Sequence, residues 1–268
     1  MTKDYLRELQ SAKEAAKQAG SLIKSMKGSA GVSEKAMNNL VTEADLSSEK
    51  LIGEMLLDRF PDSILYGEED EKRGAIDSDS LWLIDPLDGT NNYAHGIPVY
   101  CVSIAYAQKG DVKCAVVYDP EREELFSAVK GGGAFLNDKR IGVSKRSTLQ
   151  ESIITAGFYY ERGELMERTL EAIGKLFRLD VRGFRRTGSA AIDLCWVSCG
   201  RFDGYFEYML SPWDFAAGSL IVSEAGGIIQ DRNANPFSLL QTGAIASNGF
   251  IHEQLIKTVA FDSDKRFN

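Results

Sequence analysis

Leu81-Trp-Leu-Ile-Asp85-Pro-Leu-Asp88-Gly-Thr90-Asn-Asn-Tyr-Ala-His-Gly-Ile-Pro98 is the stretch on which the reading of this chain turns. An apolar, strand-like run ends in Asp85, Pro86 bends the chain, and Asp88 comes back three residues later. Two carboxylates can therefore converge at a strand end while Gly89 and Thr90 open the next turn. Hard oxygen donors clustered in this way suit Mg²⁺. Backbone N–H groups of such a turn can also hold a phosphate, above all if a helix starts there. Standing alone, a D-x-x-D-G run is more often a capped turn.

Two further acidic clusters shift that balance. Gly67-Glu68-Glu69-Asp70 follows a short apolar run at 63–66, and Trp213-Asp214 heads a helical run at 215–224, where Asp214 also reads as a plain N-cap. Acidic groups that follow apolar runs in three separate places look like one site assembled from distant segments. Left unneutralised they would repel one another strongly, and bound cations are the natural resolution.

Around these clusters the chain divides into two halves. Tyr5, Leu9, Ala12, Ala16, Ala19, Ile23 and Met26 recur at spacings of three and four, which predicts an amphipathic helix. A polar stretch at 28–39 reads as a loop, and Lys35 within it reads either as approaching the site or as solvated. Thr42-Glu-Ala-Asp45 has the spacing of a helix start, and Pro61 stops that helix. Strand-like runs follow at 63–66, 81–84, 100–107, 113–118 and 124–129, so the first half, 1–149, reads as helices on a mainly antiparallel sheet. In the second half, 150–268, strand-like runs at 152–156, 204–208, 227–230 and 244–246 alternate with helical runs at 164–177, 189–197, 215–224 and 250–259. No flexible linker separates the halves, and they are expected to pack as one unit.

Composition excludes several classes of function. The net charge of −8 leaves no surplus of Lys and Arg for wrapping a nucleic acid. No run approaches the ~18 apolar residues of a membrane span, and the first twenty residues lack a leader-type apolar core, so a cytoplasmic protein is expected. Cys101, Cys114, Cys195 and Cys199 read as reduced core residues, and with only His95 and His252 a Zn²⁺ site is not expected. Gly131-Gly132-Gly133 is a hairpin turn, since neither a P-loop Lys nor a G-x-G-x-x-G frame accompanies it. Ser189 lacks the G-x-S-x-G frame of a serine hydrolase. His95 reads as a structural hydrogen-bonding group rather than a base.

The segments Gly67-Glu68-Glu69, Asp85 to Thr90 with the following Asn92 to Pro98, and Trp213-Asp214-Phe-Ala-Ala-Gly218 with Glu224-Ala-Gly-Gly227 resemble, in order and spacing, the signature segments of the inositol monophosphatase family. The resemblance implies a layered αβαβα sandwich of the α/β (α+β) class, a homodimer, sensitivity to Li⁺, and Mg²⁺-dependent hydrolysis of a small phosphorylated polyol or sugar. It implies two to three Mg²⁺ ions per subunit. Glu68, Asp85 and the carbonyl of Leu87 would hold one; Asp85, Asp88 and Asp214 would hold a second; a weaker third would lie near Glu68. Two such ions can clamp the attacking and leaving oxygens of an in-line displacement.

By the same resemblance the nucleophile is a water held by the ions, which Thr90 and Asp45 orient and deprotonate with help from Glu68. Asp45 reads equally as the closing residue of the capping box begun by Thr42. The backbone N–H groups of Gly89 and Thr90 would hold the phosphate, Asp88 would also touch the substrate, and Ser189, Ala190 and Glu207 would contact the polyol. Glu207 otherwise reads as an exposed charge at a strand end. Fructose bisphosphate, histidinol phosphate and phosphoadenosine phosphate are the alternative esters, the last disfavoured because Asn91-Asn92-Tyr93 follows Thr90 in place of Lys-Glu-Phe. A non-catalytic regulatory protein of the same fold should have lost one of the metal carboxylates, and Glu68, Asp85, Asp88 and Asp214 are all present.

Overall fold

A computed structural model describes residues 5–28, 31–36, 39–69, 76–160 and 162–261, with the backbone alone for 32–36 and 39–41. Its central feature is a seven-stranded sheet in the order β3-β4-β5-β6-β7-β8-β9, with β3 (Ile64–Gly67), β4 (Leu81–Asp88), β5 (Cys101–Gln108), β6 (Asp111–Asp119), β7 (Glu124–Val129), β8 (Gly133–Leu136) and β9 (Lys139–Arg140). β3 and β4 are parallel and every other pair is antiparallel. Both faces are covered, so β4 and β5 read as near-continuous apolar runs rather than alternating ones. Trp82, Ile84, Val102 and Ile104 pack toward one side, Leu83, Cys101, Ala105 and Ala107 toward the other.

On the first side lie α1 (Leu6–Met26) and α2 (Glu43–Arg59), α1 through the buried stripe Ala12, Ala15, Ala16, Ala19 and Ile23. On the second lie α5 (Ala190–Ser198) and α6 (Pro212–Glu224), which also touch a second sheet of order β11-β10-β12-β14-β13. Its strands are β10 (Ile153–Ala156), β11 (Gly183–Arg185), β12 (Gly204–Glu207), β13 (Ile228–Gln230) and β14 (Ala244–Ser247). α4 (Glu164–Arg178) and α7 (His252–Val259) close the outer face. The layers are therefore αβαβα, as expected. α5 and α6, caught between two sheets, are apolar almost all round, whereas the outer helices carry a single stripe.

Close approach of the two middle helices rests on Gly218, where a Cβ would stand 2.6 Å from Leu194 Cδ1 and 2.7 Å from Leu194 Cβ. Alanine raises helix propensity by about 1 kcal/mol over glycine, but overpacking costs ~1–3 kcal/mol. Gly218→Ala is therefore expected to be net destabilising by roughly 1 kcal/mol. The denaturation midpoint should fall; a rise would show that the helices separate freely.

Three expectations are corrected. The polar stretch at 28–39 is not simply loop: β1 (Val32–Ala36) pairs antiparallel with β2 (Asn39–Thr42). Its lack of apolar alternation hid it, and the side chain of Lys35 lies outside the described residues. β4 does not stop at Asp85 but continues through Pro86 to Asp88, with a bulge between the two aspartates, where proline is tolerated. The helix expected to begin at Phe215 begins at Pro212, with Ser211 as N-cap and Asp214 inside its first turn. β8, β9 and β11 are strands in addition to the runs expected from the sequence. The Gly131-Gly132-Gly133 hairpin is present between β7 and β8, and the four cysteines are free. Among the described residues no helix is long and apolar enough to cross a membrane.

Candidate active site

Residues three apart on a regular strand face opposite sides. The β4 bulge adds one residue and sets Asp85 against Ser103 and Asp88 against Cys101, two apart on β5. Both carboxylates thus turn to the face covered by α5 and α6. β3 runs parallel to β4 with Gly67 opposite Ile84, so Glu68 emerges beside Asp85. From α6 comes Asp214, whose Oδ2 accepts from Ser211 N at 2.7 Å, while Trp213 O accepts from Ser103 Oγ at 3.4 Å. Glu68, Asp85, Leu87, Asp88 and Asp214 all line one cavity of about 200 Å³.

The electrostatics of this cluster are set by burial and by mutual repulsion of the acids. Burial pushes Asp85 well above the usual carboxylate range, and the charges of Glu68, Asp88 and Asp214 push it further. Asp214 is raised by burial and then by Glu68 and Asp88. Asp88 is raised by burial too, against the donors around it. Its Oδ2 accepts from Ser189 Oγ at 2.7 Å and Ala191 N at 2.7 Å. Asp85 Oδ1 accepts from Leu87 N at 3.0 Å.

Among the described residues no three His, Cys, Asp or Glu side chains are gathered into a compact metal-holding group. The acids are near enough to raise one another's pKa, yet several carboxylate oxygens turn to N–H or O–H donors. The donor set itself, all hard oxygen and lacking His and Cys ligands, fits Mg²⁺ rather than Zn²⁺.

Behind the cavity, Asp45 makes hydrogen bonds in two directions. Its Oδ2 accepts from Thr42 N at 2.8 Å and Thr42 Oγ1 at 2.6 Å, which caps α2. Its Oδ1 accepts from Thr90 Oγ1 at 2.9 Å, and the same hydroxyl lies 3.0 Å from Leu87 O. Burial raises its pKa. Gly89 takes φ +99, and a Cβ there would stand 2.8 Å from Val99 O, so the turn that presents Thr90 at the start of α3 (Thr90–Ala94) requires glycine. His95 is exposed and its Nδ1 lies 2.8 Å from Asn91 O, a local structural contact.

Ser189, Ala190 and Glu207 line the opposite wall. Ser189 caps α5 through Ile192 N at 3.3 Å while donating to Asp88. Glu207 is not an exposed strand-end charge: it is 9% exposed, accepts from Tyr205 OH at 2.8 Å, and burial pushes its pKa up to about 7. Gly157 gives it room, since a Cβ there would meet Glu207 Oε2.

Three lining or bracing residues were not singled out from the sequence. Asp193, fully buried, accepts from Thr155 Oγ1 at 2.9 Å and Thr187 Oγ1 at 2.7 Å. Its signal was present, an acid inside the apolar helical run Ala190-Ala-Ile-Asp193-Leu-Cys. Asn92 donates through Nδ2 to Val99 O at 2.7 Å and Thr187 O at 2.9 Å, tying the motif to the second half. Arg186 lines the cavity as well, and nothing in its local sequence separates it from its neighbour Arg185.

A layered αβαβα sandwich with acidic groups converging from β3, β4 and α6 defines the class, and comparison agrees with it. The chain matches the sequence profile of the inositol monophosphatase family over residues 5–263 and belongs to that family. It is 42% identical over 254 residues to the inositol-1-monophosphatase of Synechocystis sp., covering 94% of this chain and 88% of that one. To the protein named Nus factor SuhB of Escherichia coli strain K12 it is 41% identical over 237 residues, covering 87% and 88%. The crystal structure of the extragenic suppressor protein suhB from Bartonella henselae superposes with a TM-score of 0.89 at 36% identity, covering 94% of this chain and 98% of that one.

Proposed function

We propose that the chain is a Mg²⁺-dependent phosphomonoesterase acting on inositol monophosphate or a related small polyol or sugar phosphate. The observation that carries this reading is the Thr90–Asp45 hydrogen bond at 2.9 Å, standing beside a cavity lined by Glu68, Asp85, Asp88 and Asp214. Those four acids and the carbonyl of Leu87 would hold two to three Mg²⁺ ions. When bound, Mg²⁺ neutralises phosphoryl charge and lowers the pKa of a coordinated water.

The chain's own residues supply the rest. Thr90 commits its hydroxyl proton inward, to Asp45, which leaves an oxygen lone pair to accept a hydrogen bond from the attacking water. A proton taken from that water passes through Thr90 Oγ1 to Asp45, whose raised pKa suits it to receive one. Glu68 assists in orienting the water. The backbone N–H groups of Gly89 and Thr90 bind the phosphate, and Asp88, Ser189, Ala190 and Glu207 contact the rest of the substrate. At a pKa of about 7, Glu207 can donate to a hydroxyl as readily as accept from one. The halves 1–149 and 150–268 act as one unit in this reading, in a cytoplasmic homodimer sensitive to Li⁺.

A regulatory role is the second reading, favoured by the name Nus factor that relatives carry. The presence of all four acids favours hydrolysis over a purely regulatory role. Phosphate release from inositol monophosphate, fructose bisphosphate, histidinol phosphate and phosphoadenosine phosphate, measured with Mg²⁺ and with EDTA, tests this. Turnover dependent on Mg²⁺ is expected, and the best ester defines the substrate. No turnover on any ester would move the regulatory reading to the front.

A further inference from the structure

Of the four acids gathered at the cavity, Glu68 has the least support from its own sheet. Asp85 lies on β4, which is paired on both sides, while Asp88 and Asp214 accept from Ala191 N and Ser211 N. Glu68 follows the last residue of β3, an edge strand of the seven-stranded sheet. An edge strand has ladder bonds along one side only, so its end depends on contacts made outside the sheet.

Such contacts come from Glu49 on α2. Its Oε2 accepts from Glu69 N at 2.9 Å, and a Cβ on Gly67 would stand 2.5 Å from its Cδ and Oε2 and 2.6 Å from its Oε1. One carboxylate thus lies against the backbone on both sides of Glu68, and the missing side chain of Gly67 admits it. Ser48 and Glu49 follow Asp45 by three and four residues, so all three share one face of the helix. Asp45 Oδ1 accepts from Thr90 Oγ1 at 2.9 Å, and Ser48 Oγ donates to Pro86 O at 2.9 Å. That face of α2 therefore grips three segments of the site: the turn at Thr90, the bulge between Asp85 and Asp88, and the end of β3.

Helix stability does not account for this placement. Two acids at i and i+4 repel one another, and Glu49 stands beyond the first turn of α2, where the helix dipole would favour an acid. What the position does provide is a fixed carboxylate beside the segment that presents Glu68. Outer partners that orient metal-holding groups are typically worth about tenfold to a hundredfold in metal affinity. We propose that Glu49 is a positioning residue for the ion that Glu68 would hold, setting its affinity by fixing the backbone on either side of Glu68. This rests on the Mg²⁺-dependent phosphatase reading of the same cavity.

The test measures Mg²⁺ binding by calorimetry without substrate, and the Mg²⁺ dependence of phosphate release from inositol monophosphate, in wild type, Glu49→Ala, Glu49→Gln and Gly67→Ala. Glu49→Ala should weaken Mg²⁺ binding roughly tenfold and raise the half-saturating Mg²⁺ concentration to match, with kcat at saturating Mg²⁺ within about threefold of wild type. Glu49→Gln keeps an oxygen that accepts from Glu69 N and should recover most of the affinity. Gly67→Ala displaces the carboxylate and should weaken binding as Glu49→Ala does, so it carries the test if Glu49→Ala does not fold. In a Glu68→Gln background, Glu49→Ala should change Mg²⁺ affinity by less than about twofold, since the group it acts through is gone. Unchanged affinity in whichever of Glu49→Ala and Gly67→Ala folds makes Glu49 a structural residue and overturns the proposal, even if the melting temperature in EDTA falls. Equal weakening with and without Glu68 overturns it too. If wild type binds Mg²⁺ but turns over no ester, and Glu49→Ala weakens that binding, the phosphatase reading fails and this inference stands. A wild type that binds no Mg²⁺ overturns both.

Discussion

Asp88→Asn is expected to lower Mg²⁺-dependent phosphate release by about three orders of magnitude in kcat/KM, while raising the melting temperature of the metal-free protein. The first effect follows from removing a charged oxygen donor from a site whose ions would supply several kcal/mol of transition-state stabilisation; ~4 kcal/mol corresponds to about a thousandfold. The second follows from the acid cluster itself. Asp88 is among the charges that hold Asp85 and Asp214 above the usual range, and neutralising it relieves that repulsion. Asparagine retains a side-chain oxygen able to accept from Ser189 Oγ and Ala191 N, so the turn they belong to keeps its anchor. Phosphate release at saturating Mg²⁺ and thermal unfolding in EDTA decide the matter together. Activity within tenfold of wild type would remove Asp88 from the ion-holding set. Lost activity with a lowered melting temperature would make it a structural residue instead.

Stabilisation by Mg²⁺ is expected to grow with pH. Asp85, Asp88 and Asp214 have folded-state pKa values above the reference value of 3.8. Their contribution to stability is therefore fully present below the unfolded value and is lost as pH rises through the folded values, because the folded state holds protons the unfolded chain has released. Mg²⁺ binds the ionised acids and reverses that loss. A ligand at about a hundred times its Kd stabilises by ~2.7 kcal/mol. For a chain of this size each kcal/mol moves the melting temperature by roughly 2–4 °C. The difference between Mg²⁺ and EDTA should thus be about 5–10 °C at pH 8 and markedly smaller at pH 5. Comparing the two at each pH cancels half-buried carboxylates such as Asp111 and Glu121, whose pKa values are lowered by Lys partners and act in the opposite sense. Equal shifts at both pH values would show that Mg²⁺ acts elsewhere than on these acids.

The parts of the site legible in the sequence are those whose signal is local. The apolar run before Asp85, the glycine after Asp88 and the acid three residues after Thr42 each report on their own turn of chain, and each sits where its local chemistry placed it. The β1–β2 hairpin was not legible, because its residues carry neither alternation nor a turn signature.

What the sequence by itself determined was the family, through the residue types and spacing of three segments, and, through that resemblance, the layered fold. Tertiary structure alone decided how the acids face one another. The bulge between Asp85 and Asp88 turns both to one side of the sheet. The packing of α6 on that face brings Asp214 to them across 126 residues of chain from Asp88. Packing of α2 against the end of β4 makes Asp45 a partner of Thr90, and closure of the layers buries Glu207. Spacing along a chain constrains only the few residues within a turn or a strand. Contacts between distant segments depend on which faces bury together, and that is settled only when the layers close.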